Sequence, residues 1–364
     1  MLVKDLINHL EEIAPLNYAE DFDNVGLLVG DKNTTVTNVL VALDTLEEVV
    51  DEAIAKKCNF ILSFHPIIFK GLKSLTGKNY VERTVLKAIK NNIAIYAIHT
   101  ALDNDNNGVN AMMCNQLNLI NQRILIPQKQ TIKKLTTYVP VAEAETLRTA
   151  LFNAGAGQIG NYKNCSFNVN GIGTYNATEK ANPVIGVIGK NHSEAETQLN
   201  ITYAKHVEKS VLKALFETHS YDEVAYEVTT IENTNQNIGM GMIAELKTTQ
   251  TETEFLHYLK EKMDISLIRH SKLSDRPVKK VAVLGGSGSF AINAAKAAGA
   301  DAFVTSDLKY HDFFQAENAI LLADIGHYES EQYTKSGLVA ILTKKIPNFA
   351  FILSNTNTNP VKYF

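Results

Sequence analysis

Three histidines in this chain each stand just past an apolar run. His65 follows Phe60–Ser63 within Ser63-Phe64-His65-Pro66, and His99 follows residues 93–98 and opens His99-Thr100-Ala101-Leu102-Asp103. His327 follows residues 320–324 within Asp324-Ile325-Gly326-His327-Tyr328-Glu329-Ser330-Glu331. A neutral imidazole beside a hard carboxylate oxygen suits Zn, Mn or Fe(II). His327 and Glu331 are spaced i and i+4, so at a helix start both side chains lie on one face and can share an ion, whereas Glu329 at i+2 points elsewhere. Each patch alone has a plain reading. His65 can be a capping or surface histidine, Asp103 can open a polar turn with Asn104-Asp105-Asn106-Asn107-Gly108, and Glu331 can be a solvated helix residue. Together they nominate His65, Asp103, His327 and Glu331 as ligands of a divalent metal. A fourth patch, Leu284-Gly285-Gly286-Ser287-Gly288-Ser289, is a glycine-rich strand-to-helix turn. Its N–H groups can hold an anion or simply form a tight turn; it lacks the Walker Lys and the G-x-G-x-x-G spacing.

These residues must be carried by strands and helices that end together. Apolar runs at 36–43, 60–63 and 93–98 alternate with amphipathic stretches at 46–57 and 109–117, the rhythm of β/α units around a largely parallel sheet. Ligands bind at the carboxyl ends of such strands. The rhythm resumes with strands at 278–284, 302–305, 320–324 and 349–353, an Ala-rich stretch at 290–298 and one helix over 328–343. The middle differs. Strands at 135–139, 165–169, 184–187 and 225–231 with helices at 143–153 and 204–216 give a βαββαβ order, the pattern of a ferredoxin-like unit. Gly/Asn-rich stretches at 118–129 and 233–241 bound it, so the predicted organisation is a discontinuous α/β core, 1–129 with 236–364, interrupted by an insert at 130–235.

A length of 364 residues fits about two domains. Hydrophobic residues at 45% and charged residues at 20% describe a globular chain. A net charge of -4 leaves no global positive field, so nucleic acid is not an expected partner. The N-terminus reads as an amphipathic helix through Val3, Leu6, Ile7, Leu10 and Ile13, unlike a signal peptide, and no window approaches the roughly 20 apolar residues of a membrane span. Cys58, Cys114 and Cys165 are odd in number and unpaired by spacing, which suggests neither a disulfide framework nor a thiolate zinc site and points to the cytoplasm.

The segments Ala19-Glu20-Asp21-Phe22-Asp23-Asn24-Val25-Gly26-Leu27, Phe64-His65-Pro66, His99-Thr100-Ala101-Leu102-Asp103, Thr305-Ser306-Asp307-Leu308-Lys309-Tyr310-His311 and Gly326-His327-Tyr328 with Glu331 resemble the Nif-three-like family, often labelled GTP cyclohydrolase I type 2 homologues. The insert, with Gly171-Ile172-Gly173-Thr174-Tyr175 and Ala181-Asn182-Pro183, is similar to that of the longer bacterial members, whose extra domain is PII/CutA-like. The resemblance implies a ring-shaped homohexamer and a dinuclear site holding up to two divalent ions (Zn, Mn or Fe) per chain. His65 and Asp103 would hold one ion, His327 the other, and Glu331 would bridge them. One departure stands out: the family usually has a second histidine where this chain has Phe64, which leaves the His327 ion a ligand short. The implied activity is metal-dependent hydrolysis of a nucleotide-like or phosphorylated small molecule, with His99 as acid/base. The alternative is a non-catalytic regulatory or assembly protein with a ligand-sensing insert.

Overall fold

Strands that are apolar at every position are stable only when both faces are covered. In the computed structural model, which describes residues 1–364, the strands Val39–Ala42, Phe60–Ser63 and Ala94–Ala97 are buried throughout and run parallel. They form the centre of a five-stranded sheet, flanked by Phe351–Leu353 in parallel and Gly26–Val29 in antiparallel pairing. Alternate residues point to opposite faces. Val39, Val41, Phe60 and Leu62 pack with Leu6 and Leu10 of the helix Val3–Glu11 and with Leu338 and Leu342 of the helix Thr334–Lys345. Leu40, Ile61 and Ile95 pack with Val49, Val50 and Val85 of the helices Glu47–Ala55 and Tyr80–Lys90. Each such fully buried side chain contributes about 1.5–3 kcal/mol.

A second, six-stranded sheet has the order Arg269–His270, Leu321–Asp324, Ala302–Ser306, Pro277–Ser287, Gly239–Thr251, Ile120–Pro127. Pro277–Ser287, Ala302–Ser306 and Leu321–Asp324 are parallel, and the remaining pairings are antiparallel. Both sheets belong to one compact unit, 1–127 with 236–364; residues 128–235 form another. Gly239 lies opposite Pro127, so the chain leaves and re-enters the larger unit on neighbouring strands. The larger unit is thus a mixed α/β fold with two mixed sheets.

The smaller unit runs strand, helix, strand, strand, helix, strand. Its antiparallel sheet has the order Phe167–Asn176, Asn191–Ala204, Ile132–Pro140, Tyr226–Ile231. The helices Ala144–Asn153 and Glu208–Thr218 bury Leu147, Leu151, Val211 and Leu215 against Leu135, Val139, Leu199 and Ile201.

Two local expectations are corrected. Residues 184–187 are not a strand; they lie in bends between Pro183 and Gly189, and the strand is Asn191–Ala204, whose half-exposed polar start His192-Ser193-Glu194 masks it. Residues 328–343 are not one helix. A break at Gln332-Tyr333 separates His327–Glu331 from Thr334–Lys345, which frees the first segment to face the site while the second covers the five-stranded sheet. No helix is long and apolar enough to cross a membrane.

Candidate metal centre

Register brings the first group of side chains together. Ala42 pairs with Ser63 and Ser63 with Ala97, so three strands end level. Asp44, His65 and His99 each lie two residues beyond those ends. The parallel ladder continues past them, with the His65 N–H donating to Leu43 O at 2.9 Å and the His99 N–H to Phe64 O at 2.9 Å. In the second sheet Ser287 pairs with Ser306 and Thr305 with Asp324, which places Asp307 and, beyond Gly326, His327 at the corresponding edge.

Every one of the three imidazoles is tied at Nδ1 to a carboxylate. The distances are 2.8 Å from His65 to Asp44, 2.9 Å from His99 to Asp23 and 2.7 Å from His327 to Asp307. An ionised carboxylate only accepts, so each Nδ1 is a donor and Nε2 is turned away from that carboxylate, the arrangement that orients histidine ligands toward a metal once any Nε2 proton is displaced. The Nε2 atoms of His65 and His327 lie 3.1 and 3.3 Å from Glu331 Oε2. The ligand atoms of these three residues all fall within 4.8 Å of one another.

The electrostatics follow from this crowding. Burial disfavours charge on His65, but Asp44 and Glu331 outweigh it and push the imidazole up to about 10. His327 is likewise penalised by burial and raised to about 11 by Asp307 and Glu331. Burial raises Glu331, yet its two histidines hold it down at about 2. For Asp103, burial and then the negative charge of Glu331 push the carboxyl well above the usual carboxylate range. Its Oδ1 is buried without a hydrogen-bond partner, and Glu331 Oε2, although within ion-pair distance of both rings, accepts no well-formed hydrogen bond. Two imidazole nitrogens with fixed tautomers and buried, unsatisfied carboxylate oxygens are a donor set that fits a divalent first-row ion.

His65, His327 and Glu331 are therefore brought together as ligating atoms. Asp103 stands outside that trio but inside its field, and the His99 ring lies 5.2 Å from that of His65. His99 is held at φ +20°, a sparsely populated backbone conformation for a non-glycine residue. Phe64 is fully buried, with its ring 4.9 Å from His65 and 5.5 Å from His99. Sequence reasoning missed Asp44, Asp307 and Asp23, the carboxylates that orient the rings. The position just past a strand end that singles out the histidines also singles out Asp44 and Asp307.

Gly285 and Gly286 serve this centre too, from inside the strand Pro277–Ser287 rather than from the expected strand-to-helix turn. The N–H of Gly285 donates to Asn110 Oδ1 at 3.0 Å and that of Gly286 to Ser330 Oγ at 2.9 Å, so neither is free for an anion. Gly286 has φ +69°, and a Cβ there would lie 2.5 Å from Glu331 Oε1. Gly286→Ala is expected to cost about 1–2 kcal/mol in stability through its left-handed backbone. By displacing Glu331 it is also expected to weaken metal binding roughly tenfold. Urea unfolding and metal titration of the variant measure both; unchanged metal affinity would show that Glu331 is not seated by this glycine.

Asp44 and His65 line two clefts. One, of about 670 Å³, also has Phe69, Lys70 and Tyr80 in its wall. The other, of about 500 Å³, has Arg269 and Tyr363.

A family model described as Duf34/NIF3 (NGG1p interacting factor 3) matches residues 1–360. A Bacillus subtilis relative called GTP cyclohydrolase 1 type 2 homolog is 39% identical over 369 residues, covering 99% of this chain and 98% of its own. A Staphylococcus aureus relative of the same name is 36% identical with full coverage of both chains. Among solved structures, a Bacillus cereus protein related to NIF3 superposes with a TM-score of 0.87 at 36% identity, covering 100% of this chain and 99% of the other. A Staphylococcus aureus protein superposes at 0.80 and 32% identity with the same coverage. With the match running nearly end to end in sequence and in fold, this chain belongs to the Duf34/NIF3 family.

Proposed function

We propose that this protein is a metal-dependent hydrolase acting on a nucleotide-like or other phosphorylated small molecule. The observation that carries the reading is the convergence of carboxylate-oriented imidazoles on Glu331 beside two open clefts. His65, His327, Glu331 and Asp103 would hold the metal, up to two ions of Zn, Mn or Fe, with the His327 position the poorer because Phe64 supplies no donor. A divalent ion bound there supplies Lewis acidity. His99 is not needed as a ligand of the trio. Asp23 fixes its Nδ1–H, so Nε2 would take or give a proton at a substrate bound beside His65, whose ring lies 5.2 Å away. Lys70 and Arg269 offer positive charge to a phosphate. The relatives' name, which refers to GTP cyclohydrolase, agrees with a nucleotide-like substrate. In the same reading the discontinuous core is the metal-binding domain and residues 130–235 a ferredoxin-like, PII/CutA-like insert. The chain assembles as a homohexamer in the cytoplasm.

Phe64 favours a second reading, a non-catalytic metal-binding regulator, because a fully buried ring occupies the place of a ligand. Assay of the Mn-, Zn- and Fe(II)-loaded protein against nucleotides and phosphoesters separates the two. His99→Gln is expected to lower kcat by roughly 10²–10⁴ with metal content unchanged. Full metal loading without turnover of any compound would leave the regulator as the answer.

A further inference from the structure

The smaller unit contains a cleft of about 580 Å³ that the metal chemistry does not use. Its walls are Tyr138, Tyr175 and Tyr221, apolar side chains such as Val169 and Ile172, and the carboxylates Glu196, Asp222 and Glu223. No Lys, Arg or His lines it. Glu196 is only 9% exposed, and a buried carboxylate ordinarily has a cationic partner. Here one oxygen, Oε1, accepts from the Tyr221 hydroxyl at 2.9 Å, and no ion pair involves the residue. Oε2 lies where a Cβ on residue 173 would come within 2.0 Å of it, so Gly173 leaves the space that this oxygen occupies.

The neighbouring histidines do not supply the charge. His219 accepts from the Tyr221 N–H at Nδ1 (3.1 Å) and donates from Nε2 to Tyr138 O (2.9 Å), which fixes it as a neutral imidazole. His192 pairs with Glu194 at 3.1 Å instead. The Tyr175 and Tyr221 rings stand 6.3 Å apart at 63°, two aromatic walls beside the carboxylate.

We propose that this cleft binds a small organic cation, an ammonium group on an apolar body, with Glu196 as its counter-charge and Tyr175 and Tyr221 flanking it. An anion would meet three carboxylates and no base. A hard metal ion needs several converging oxygens, whereas a single buried carboxylate between aromatic faces is the chemistry of ammonium recognition. The volume is that of a small-molecule site.

The test uses the full-length protein at physiological salt, titrated calorimetrically with 1,5-diaminopentane and spermidine. Matched titrations use 1,5-pentanediol, glutarate, ATP and Mg²⁺. The amines are expected to bind saturably, one per chain, with the diol and the anions at least roughly tenfold weaker. Glu196→Gln and, separately, Tyr175→Leu are each expected to weaken amine binding by about tenfold. Circular dichroism of both checks the fold, and Glu331→Gln should leave amine binding unchanged. Absence of amine binding, equal binding of the diol, preference for ATP or Mg²⁺, or unaltered amine affinity in both folded cleft variants would each overturn the assignment.

Discussion

Glu331→Gln is expected to weaken divalent-metal binding by at least ~100-fold while leaving the fold intact. Glu331 is the one carboxylate whose oxygen faces both Nε2 atoms, and at 3% exposure no solvent-borne group can replace it. The amide preserves volume, so the core around Gly285 and Gly286 keeps its packing, but it offers a neutral oxygen to the ion. It also removes the negative charge that holds His65 and His327 protonated in the metal-free state, leaving two imidazoles with ring centroids 5.4 Å apart. Metal content after purification without chelator, together with competition titration, measures the effect. A variant that retains stoichiometric, tightly held metal would remove Glu331 from the ligand set.

Metal uptake by the trio of His65, His327 and Glu331 is expected to release about two protons at pH 7.5, one from each imidazole, so that affinity rises by up to ~100-fold per pH unit near neutrality. In the metal-free protein the folded-state values of His65 and His327, about 10 and about 11, lie above their ordinary 6.5. Their stabilisation is therefore complete below about pH 6.5 and lost as pH rises through those values. Glu331 is lowered from 4.5 to about 2, so its contribution is present above about pH 4.5 and lost as pH falls through 2. The metal-free centre is thus most stabilising between about pH 4.5 and 6.5, where an incoming ion must displace both protons. His65 carries the larger share of the coupling, because the His327 side chain is 41% exposed and solvent screens its pairing. Calorimetry in buffers of different ionisation enthalpy counts the protons; an enthalpy independent of buffer would sink this account.

How the centre arises from the chain can be followed residue by residue. His65 and the helical pair His327 and Glu331 were legible because an apolar run marks its own end, and i, i+4 spacing marks a face. Asp103 is a partial case. Its position after the strand Ala94–Ala97 is local, but whether its carboxyl joins the trio depends on where the short helix His99–Asp103 sends it, and the trio forms without it. Asp44 and Asp307 were not legible as partners of His65 and His327, since 21 and 20 residues separate each pair and only strand register closes the gap. Gly286 reads equally as an anion turn or a tight turn until Glu331 is seen against it.

By itself, then, the amino-acid order determined the α/β rhythm, the ends of the buried parallel strands and the residue types able to hold a metal. Those properties reside in hydrophobic periodicity, which acts over neighbouring residues. Tertiary structure alone decided which carboxylate locks which imidazole, that Glu331 and not Asp103 faces both rings, that the half-polar run at 191–204 is a strand, and that Glu196 is buried without a cation. Each of these depends on the register and packing of segments distant in sequence, where a shift of one residue along a strand turns every side chain to the other face.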